Sequence, residues 1–185
     1  AHLEYLRDVS FPFTLNLLHD REAFLLDYGK KGPEQARQAK EDLFSYQNSR
    51  KARTGGLEGL RDPALMARKA EAERELRARI DADPEKKAAY GDAWDRIAAA
   101  QKVAAQIRLQ LSFLEGGLAF DSQLFTIART LVRFAQEKAK PNPGRLREFR
   151  DSALASLKLR LFSDAPIYPD YEKAKLAHSL AYWKQ

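Results

Sequence analysis

The sequence contains no cysteine and only three histidines among its 185 residues. The first absence excludes disulfides and thiolate metal sites, and it fits either the cytosol or the periplasm. The second leaves too few ligands for zinc or di-iron, since neither an HExxH run nor a Glu-x-x-His pair occurs. Neither a metal nor a cofactor is therefore expected. The phosphate-cradling patterns GxGxxG and GxxxxGK[ST] are missing too, and the pairs Gly55-Gly56 and Gly116-Gly117 lack the adjoining strand that such a cradle needs. No apolar run approaches the roughly 20 residues of a membrane-spanning helix, so a membrane partner is not expected. The opening AHLEYLRDVS begins at Ala1 and lacks the basic start and apolar run of a signal peptide, so an upstream segment is expected to have been removed.

What is present points to helices. Hydrophobic residues make up 44% of the chain, enough for a core at this length, and charged residues 31%, with Ala, Glu, Lys, Leu and Arg dominating whole stretches. The formal net charge is +6, yet 32 basic residues are interleaved with 26 acidic ones, as on solvated helix faces. Basic clusters such as Arg50-Lys51-Ala52-Arg53 are short and do not alternate with aromatics that could stack on bases, so a nucleic-acid partner is not expected.

Breakers divide the chain into about six or seven helices with no strand-like alternation between them. After a short entering helix over residues 1–9, a first long helix is predicted from Ser10-Phe11-Pro12 to Tyr28, with Leu17, Leu18, Phe24, Leu25 and Tyr28 apolar at helical spacing. A second opens at Pro33 and runs to about Lys51, with Ala36, Ala39, Leu43, Phe44 and Tyr46 as its buried stripe, before Gly55-Gly56 weakens it. Asp62-Pro63 and Asp83-Pro84 are two further starts, each an N-cap followed by an N1 proline. From Pro84 to Leu114 the pattern stays helical, with a joint near Gly91 and one apolar seam through Trp94, Ile97, Val103, Ile107, Leu111 and Leu114. The helix capped by Asp121-Ser122 carries Leu124, Phe125, Ala128, Leu131, Val132 and Ala135 and is expected to be deeply buried. A pair over residues 145–162 and 169–183 closes the chain. The fold class is all-α, a single domain over 1–185 built as an antiparallel bundle.

Catalytic constellations are not evident. His2 lies at the start, His19 is on a regular helix beside Asp20, and His178 adjoins Ser179, where neighbouring helical positions diverge by about 100° and cannot form a relay. One segment is unusual: Tyr46-Gln47-Asn48-Ser49-Arg50-Lys51-Ala52-Arg53-Thr54-Gly55-Gly56-Leu57-Glu58-Gly59-Leu60 places Asn and Ser inside a helix and follows them with three glycines in five residues. Two readings stand open. Asn48-Ser49 is a polar contact between helices and the glycines are packing residues, or Asn48 is an amide turned toward a ligand.

The same stretch, QNSRKARTGGLEGLRDPALMARK, resembles the helical domain of bacterial dipeptidyl-peptidases of the seven and eleven types, in which an Asn-Ser-x-Lys-Ala segment leads into a Gly-Leu-containing one. VSFPFTLNLL, GDAWDRIAAAQ, LEGGLAFDSQLFTIARTLVR and NPGRLREF are similar to that family in the same order and span nearly the whole chain. The resemblance implies a chymotrypsin-like double β-barrel, absent from this chain, that carries the serine protease triad, and an inserted helical cap that this chain supplies. The enzyme would release dipeptides from free peptide N-termini, with no catalytic residue in this chain. Asn48 is the position matched to the asparagine that binds the substrate α-amino group, and Asn16 in FTLNLL is the weaker candidate. Peptide substrates, the barrel of the same polypeptide, a homodimer and a periplasmic or cell-surface location follow from the resemblance alone. The competing expectation is a free-standing helical adaptor.

Overall fold

The computed structural model describes residues 2–184, and among these every regular element is helical, in agreement with the all-α expectation. The chain divides into two compact units, one ending at Arg108 and the other beginning at Leu109.

In the first unit, α1 (His2–Tyr5) passes through a π-helical turn (Leu6–Ser10) into α2 (Phe11–Gly29), and after a tight turn α3 (Pro33–Arg61) returns. Leu17, Leu18, Leu25 and Tyr28 of α2 are buried as their spacing predicts, and so are Ala39 and Leu57 of the adjoining α3. The two helices are antiparallel: Tyr28 Oη donates to Gln38 Oε1 at 3.0 Å near the turn, and Arg50 Nε donates to Glu22 Oε1 at 2.7 Å farther along. The expected weakening at Gly55-Gly56 does not occur, because α3 continues unbroken to Arg61. Gly56 is there for packing: a Cβ at this position would stand 2.9 Å from Phe11 Cε2, so the backbone of α3 can approach the start of α2 only without a side chain. A Cβ at Gly55, one position earlier, would meet nothing within 4 Å.

Three more helices complete this unit. α4 (Pro63–Asp81) and α5 (Pro84–Tyr90) start as predicted, with the carboxylates of Asp62 and Asp83 accepting from the backbone N–H of Ala64 and of Glu85 and Lys86. The joint near Gly91 is real, since α6 (Ala93–Gln110) begins after it. None of α4, α5 and α6 contains a buried residue. The long apolar seam is thus corrected: Ile97, Val103 and Ile107 are exposed, since α6 meets the start of the chain through the polar side chains of Gln101 and Arg108. Arg108 of the same helix is held, its Nη1 donating to Tyr5 Oη at 2.9 Å and its guanidinium lying 4.5 Å from the Phe13 ring centroid. Trp94 is likewise covered by Arg77 of α4, at 4.7 Å.

The second unit opens with a π-helical turn (Leu111–Glu115) and contains α7 (Gln123–Lys138), three 3-10 turns between Asn142 and Ala153, α8 (Leu154–Leu161) and α9 (Pro169–Trp183). Phe113, Ala119, Phe149, Leu157 and Tyr171 form its core. Phe113 stacks on Trp183 with ring centroids 4.7 Å apart, and Gly117 turns the chain with φ of 78°, a conformation that favours glycine. α7 is not deeply buried as expected. Leu124, Leu131 and Val132 are exposed, and only Glu137 is buried in it, because the turns and α9 pack against one side of this helix. The helix expected from Arg145 also begins late, at Leu154. Side chains take the backbone groups that a helix would use: Glu137 Oε2 accepts from Leu146 N at 2.7 Å and Asn142 Oδ1 from Asp151 N at 2.9 Å.

Glu172 of α9 caps α7. Its Oε2 accepts from Ser122 Oγ at 2.8 Å and from the backbone N–H of Gln123, while Oε1 faces Lys175 Nζ at 2.9 Å. Burial raises the carboxyl's pKa, but Lys175, Ser122 and Gln123 outweigh it and leave the value below the ordinary 4.5. A native value lower than the unfolded one gives stability that is present above pH 4.5 and is lost as pH falls through the lowered value.

Two outcomes are expected. Glu172→Gln lowers stability at pH 7 by about 1–3 kcal/mol, the range for truncating a buried charged hydrogen bond, and flattens the loss of stability below pH 5 followed by circular dichroism. Gly55→Ala raises the melting temperature, by about 0.5–1 kcal/mol of helix preference, whereas Gly56→Val lowers it by driving a branched side chain into Phe11.

Candidate functional site

α3 has two faces of different character. Ala39 and Leu57 are buried toward α2, and Arg50 reaches the Glu22 carboxylate on the same side. The side-chain exposures of that pair, 31% and 10%, make it a half-sheltered contact that fixes the rotation of α3. At 100° per residue, a position two before Arg50 lies about 200° around the helix. That position is Asn48, and it is exposed.

The side-chain amide of Asn48 makes no hydrogen bond within the described residues, so its carbonyl and both N–H donors are open to an outside partner. Its surroundings on the helix are open as well. Phe44, one turn earlier, is 67% exposed, which corrects the expectation that it belonged to the buried stripe. Ala52, one turn later, is exposed, and beyond it Gly55 has clear space. Helical side chains lean toward the N-terminus, so the Asn48 amide lies over the turn that carries Phe44. The face therefore offers a neutral hydrogen-bonding group beside an aromatic ring, with the exposed Lys51 and Ala52 on the other side.

Asn16 is also exposed, outside the α2 stripe formed by Leu17, Leu18, Arg21, Leu25 and Tyr28, and no hydrogen bond joins it to Asn48. The helix–helix contact that the sequence left as an alternative for Asn48-Ser49 is made instead by Arg50, the next residue, and by Gly56. Sequence spacing concealed this because an arginine in a helix ordinarily reads as a solvated residue. The signal that could have found it is the charge complement, Glu22 on the apolar side of α2.

Other chemistry-bearing groups are structural. Ser179 is 1% exposed, and its hydroxyl donates to the Ala119 carbonyl at 3.0 Å and accepts from Asp121 N at 3.0 Å, so it is committed to packing rather than poised beside His178 as a nucleophile. His19 is exposed on α2, and His2 Nδ1 lies 3.3 Å from Gln101 Nε2. Among the described residues no group of three or more His, Asp or Glu side chains is arranged to hold a metal, and no helix is long and apolar enough to cross a membrane.

The family model for Peptidase S46 matches residues 1–185. The chain belongs to the Peptidase S46 family. No match is found among curated proteins, and none among solved structures. Membership of Peptidase S46 ties the chain to the dipeptidyl-peptidases of the seven and eleven types, and so to peptide-bond hydrolysis in the protein that contains it.

The two faces of α3 respond differently to truncation. Arg50→Ala, which strands the sheltered Glu22 carboxylate, costs about 1–3 kcal/mol in chemical denaturation, while Asn48→Ala changes stability by less than about 0.5 kcal/mol. Equal losses would show that Asn48 is a packing residue.

Proposed function

We propose that this chain is the helical cap of a serine dipeptidyl-peptidase and that Asn48 receives the α-ammonium group of the peptide substrate. The observation that carries this reading is the outward, unpartnered Asn48 amide within the QNSRK segment of a Peptidase S46 chain. The protease triad belongs to a chymotrypsin-like double β-barrel elsewhere in the polypeptide, and the cap closes the far end of its cleft so that two residues fit before the scissile bond. Peptides with a free N-terminus are the substrates, the barrel of the same polypeptide is the partner, a homodimer is the assembly, and the periplasm or cell surface is the location.

Asparagine suits this task chemically. Its carbonyl oxygen accepts a charge-assisted hydrogen bond from an ammonium group without adding a formal charge to a narrow cleft. A carboxylate would bind the same group but would also attract arginine and lysine side chains indiscriminately. Fixing the amine fixes the register of the peptide, which places the second carbonyl rather than the first or third at the nucleophile. The contact therefore contributes to choosing the bond as well as to holding the substrate.

The exposed Ile97, Val103 and Ile107 of α6 favour a second reading, a helical module that binds a protein partner. Kinetics separate the two. In the full-length enzyme, Asn48→Ala lowers kcat/KM for unblocked dipeptidyl substrates by roughly 10- to 100-fold, the equivalent of one hydrogen bond to a charged group, and leaves the slow cleavage of N-acetylated substrates unchanged. Unaltered kcat/KM removes Asn48 from the site, and absence of peptidase activity in the full-length protein leaves the interaction module standing.

A further inference from the structure

The most exposed large apolar side chains recorded in the molecule are Leu159 and Phe162, each at 78%, and they lie within four residues of one another at the end of α8. Leu159 lines a groove of about 450 Å³ between α7 and α8, within the size range of small binding sites. Its α7 wall is one helical face, with Gln123, Thr126, Ile127 and Thr130 at successive three- and four-residue steps. Its α8 wall repeats the pattern with Leu157, Arg160 and Leu161. Leu157 is 2% exposed and, with Ile127, gives the groove an apolar floor.

The polar groups around that floor are incompletely used. Thr126 Oγ1 and Thr130 Oγ1 donate to the carbonyls of Ser122 and Thr126 at 2.9 and 2.7 Å, which leaves both hydroxyl oxygens free to accept from an amide N–H. Arg160 lines the groove, Lys158 stands two residues before it, and neither has an acidic partner among the described residues. Elsewhere in this unit Arg133, Arg145 and Lys175 are each paired with a carboxylate. One unpaired cation, Arg160, one exposed apolar side chain, Leu159, and two hydroxyl acceptors, Thr126 and Thr130, thus line one groove. The charge that is missing is negative.

From this juxtaposition we infer that the groove binds an extended peptide segment in which acidic and apolar side chains alternate: a carboxylate pairs with Arg160, a leucine-like side chain packs on Leu159 and Ile127, and peptide N–H groups reach Thr126 and Thr130. Alternation follows from an extended chain, whose successive side chains point to opposite sides. The inference stands apart from amine recognition at Asn48, since it needs no free N-terminus.

The test uses the full-length protein, inhibited with a serine-protease reagent, and a fluorescent peptide of alternating Leu and Glu, blocked at both ends. Fluorescence anisotropy should show saturable binding that weakens at least ten-fold in both Arg160→Glu and Leu159→Ser and is unchanged in Asn48→Ala. The Leu159 side chain is largely in solvent, so the effect of Leu159→Ser reports binding rather than folding. The inference is overturned by the absence of saturable binding, by equal binding of the matching Leu-Lys peptide, by full binding in Arg160→Glu, or by binding of phosphatidylglycerol vesicles but not of the peptide.

Discussion

The ion pair of Arg50 with Glu22 is the contact on which the geometry of α3 depends. A 29-residue helix has no intrinsic preference for which side it presents, and α3 has few large apolar residues to decide the matter by hydrophobic burial. Ala39 and Leu57 mark the inner side at two separated points, and Arg50 supplies the directional contact between them. Gly56 adds a constraint of another kind, since only a residue without Cβ admits the Phe11 ring at that distance. Together a charge pair and a steric requirement fix the helix rotation, and the open Asn48 and Phe44 face is the result. The site is thereby built on the most firmly packed pair of elements in the first unit, which suits a group that must hold a substrate end in register.

The same division between committed and open groups runs through the second unit. Glu172, Glu137 and Ser179 are buried polar residues whose bonds are spent on helix caps and turns. They replace regular backbone pairing where the chain changes direction, which is why the segment between Asn142 and Ala153 forms short turns and not a continuous helix. By contrast α4, α5 and α6 bury nothing, and their exposed surface is stabilised by pairs one turn apart such as Arg77 with Glu73 at 2.6 Å. Such pairs contribute only about 0.2–0.5 kcal/mol each, so these helices rely on local preference and capping more than on a core.

Much of the fold was legible in the sequence because its signals are local. Proline after aspartate named the starts of α4 and α5, Gly29 to Gly32 marked the first turn, and the spacing of Leu17, Leu18, Leu25 and Tyr28 identified a truly buried stripe. Periodicity failed where it was asked for more than it contains. It detects that Ile97, Val103 and Ile107, or Leu131 and Val132, lie along a helix, but it holds no information about whether another element covers them. It also placed Phe44 inside, because a helix with apolar residues in many directions does not declare its inner face. The candidate site was legible as a position, through the QNSRK segment, but its orientation was not, since that was set by Arg50 and Gly56 acting across 28 and 45 residues of sequence to Glu22 and Phe11.

What distinguishes Asn48 as a receptor for an ammonium group from an incidental surface amide is dependence on that one substrate group. A double-mutant cycle on the full-length enzyme isolates it: kcat/KM is measured for a tripeptide substrate and its des-amino analogue, each with the wild type and with Asn48→Ala. The account predicts strong coupling, the variant losing activity on the tripeptide but not on the analogue. Additive losses, with the analogue as sensitive to the substitution as the tripeptide, would contradict it.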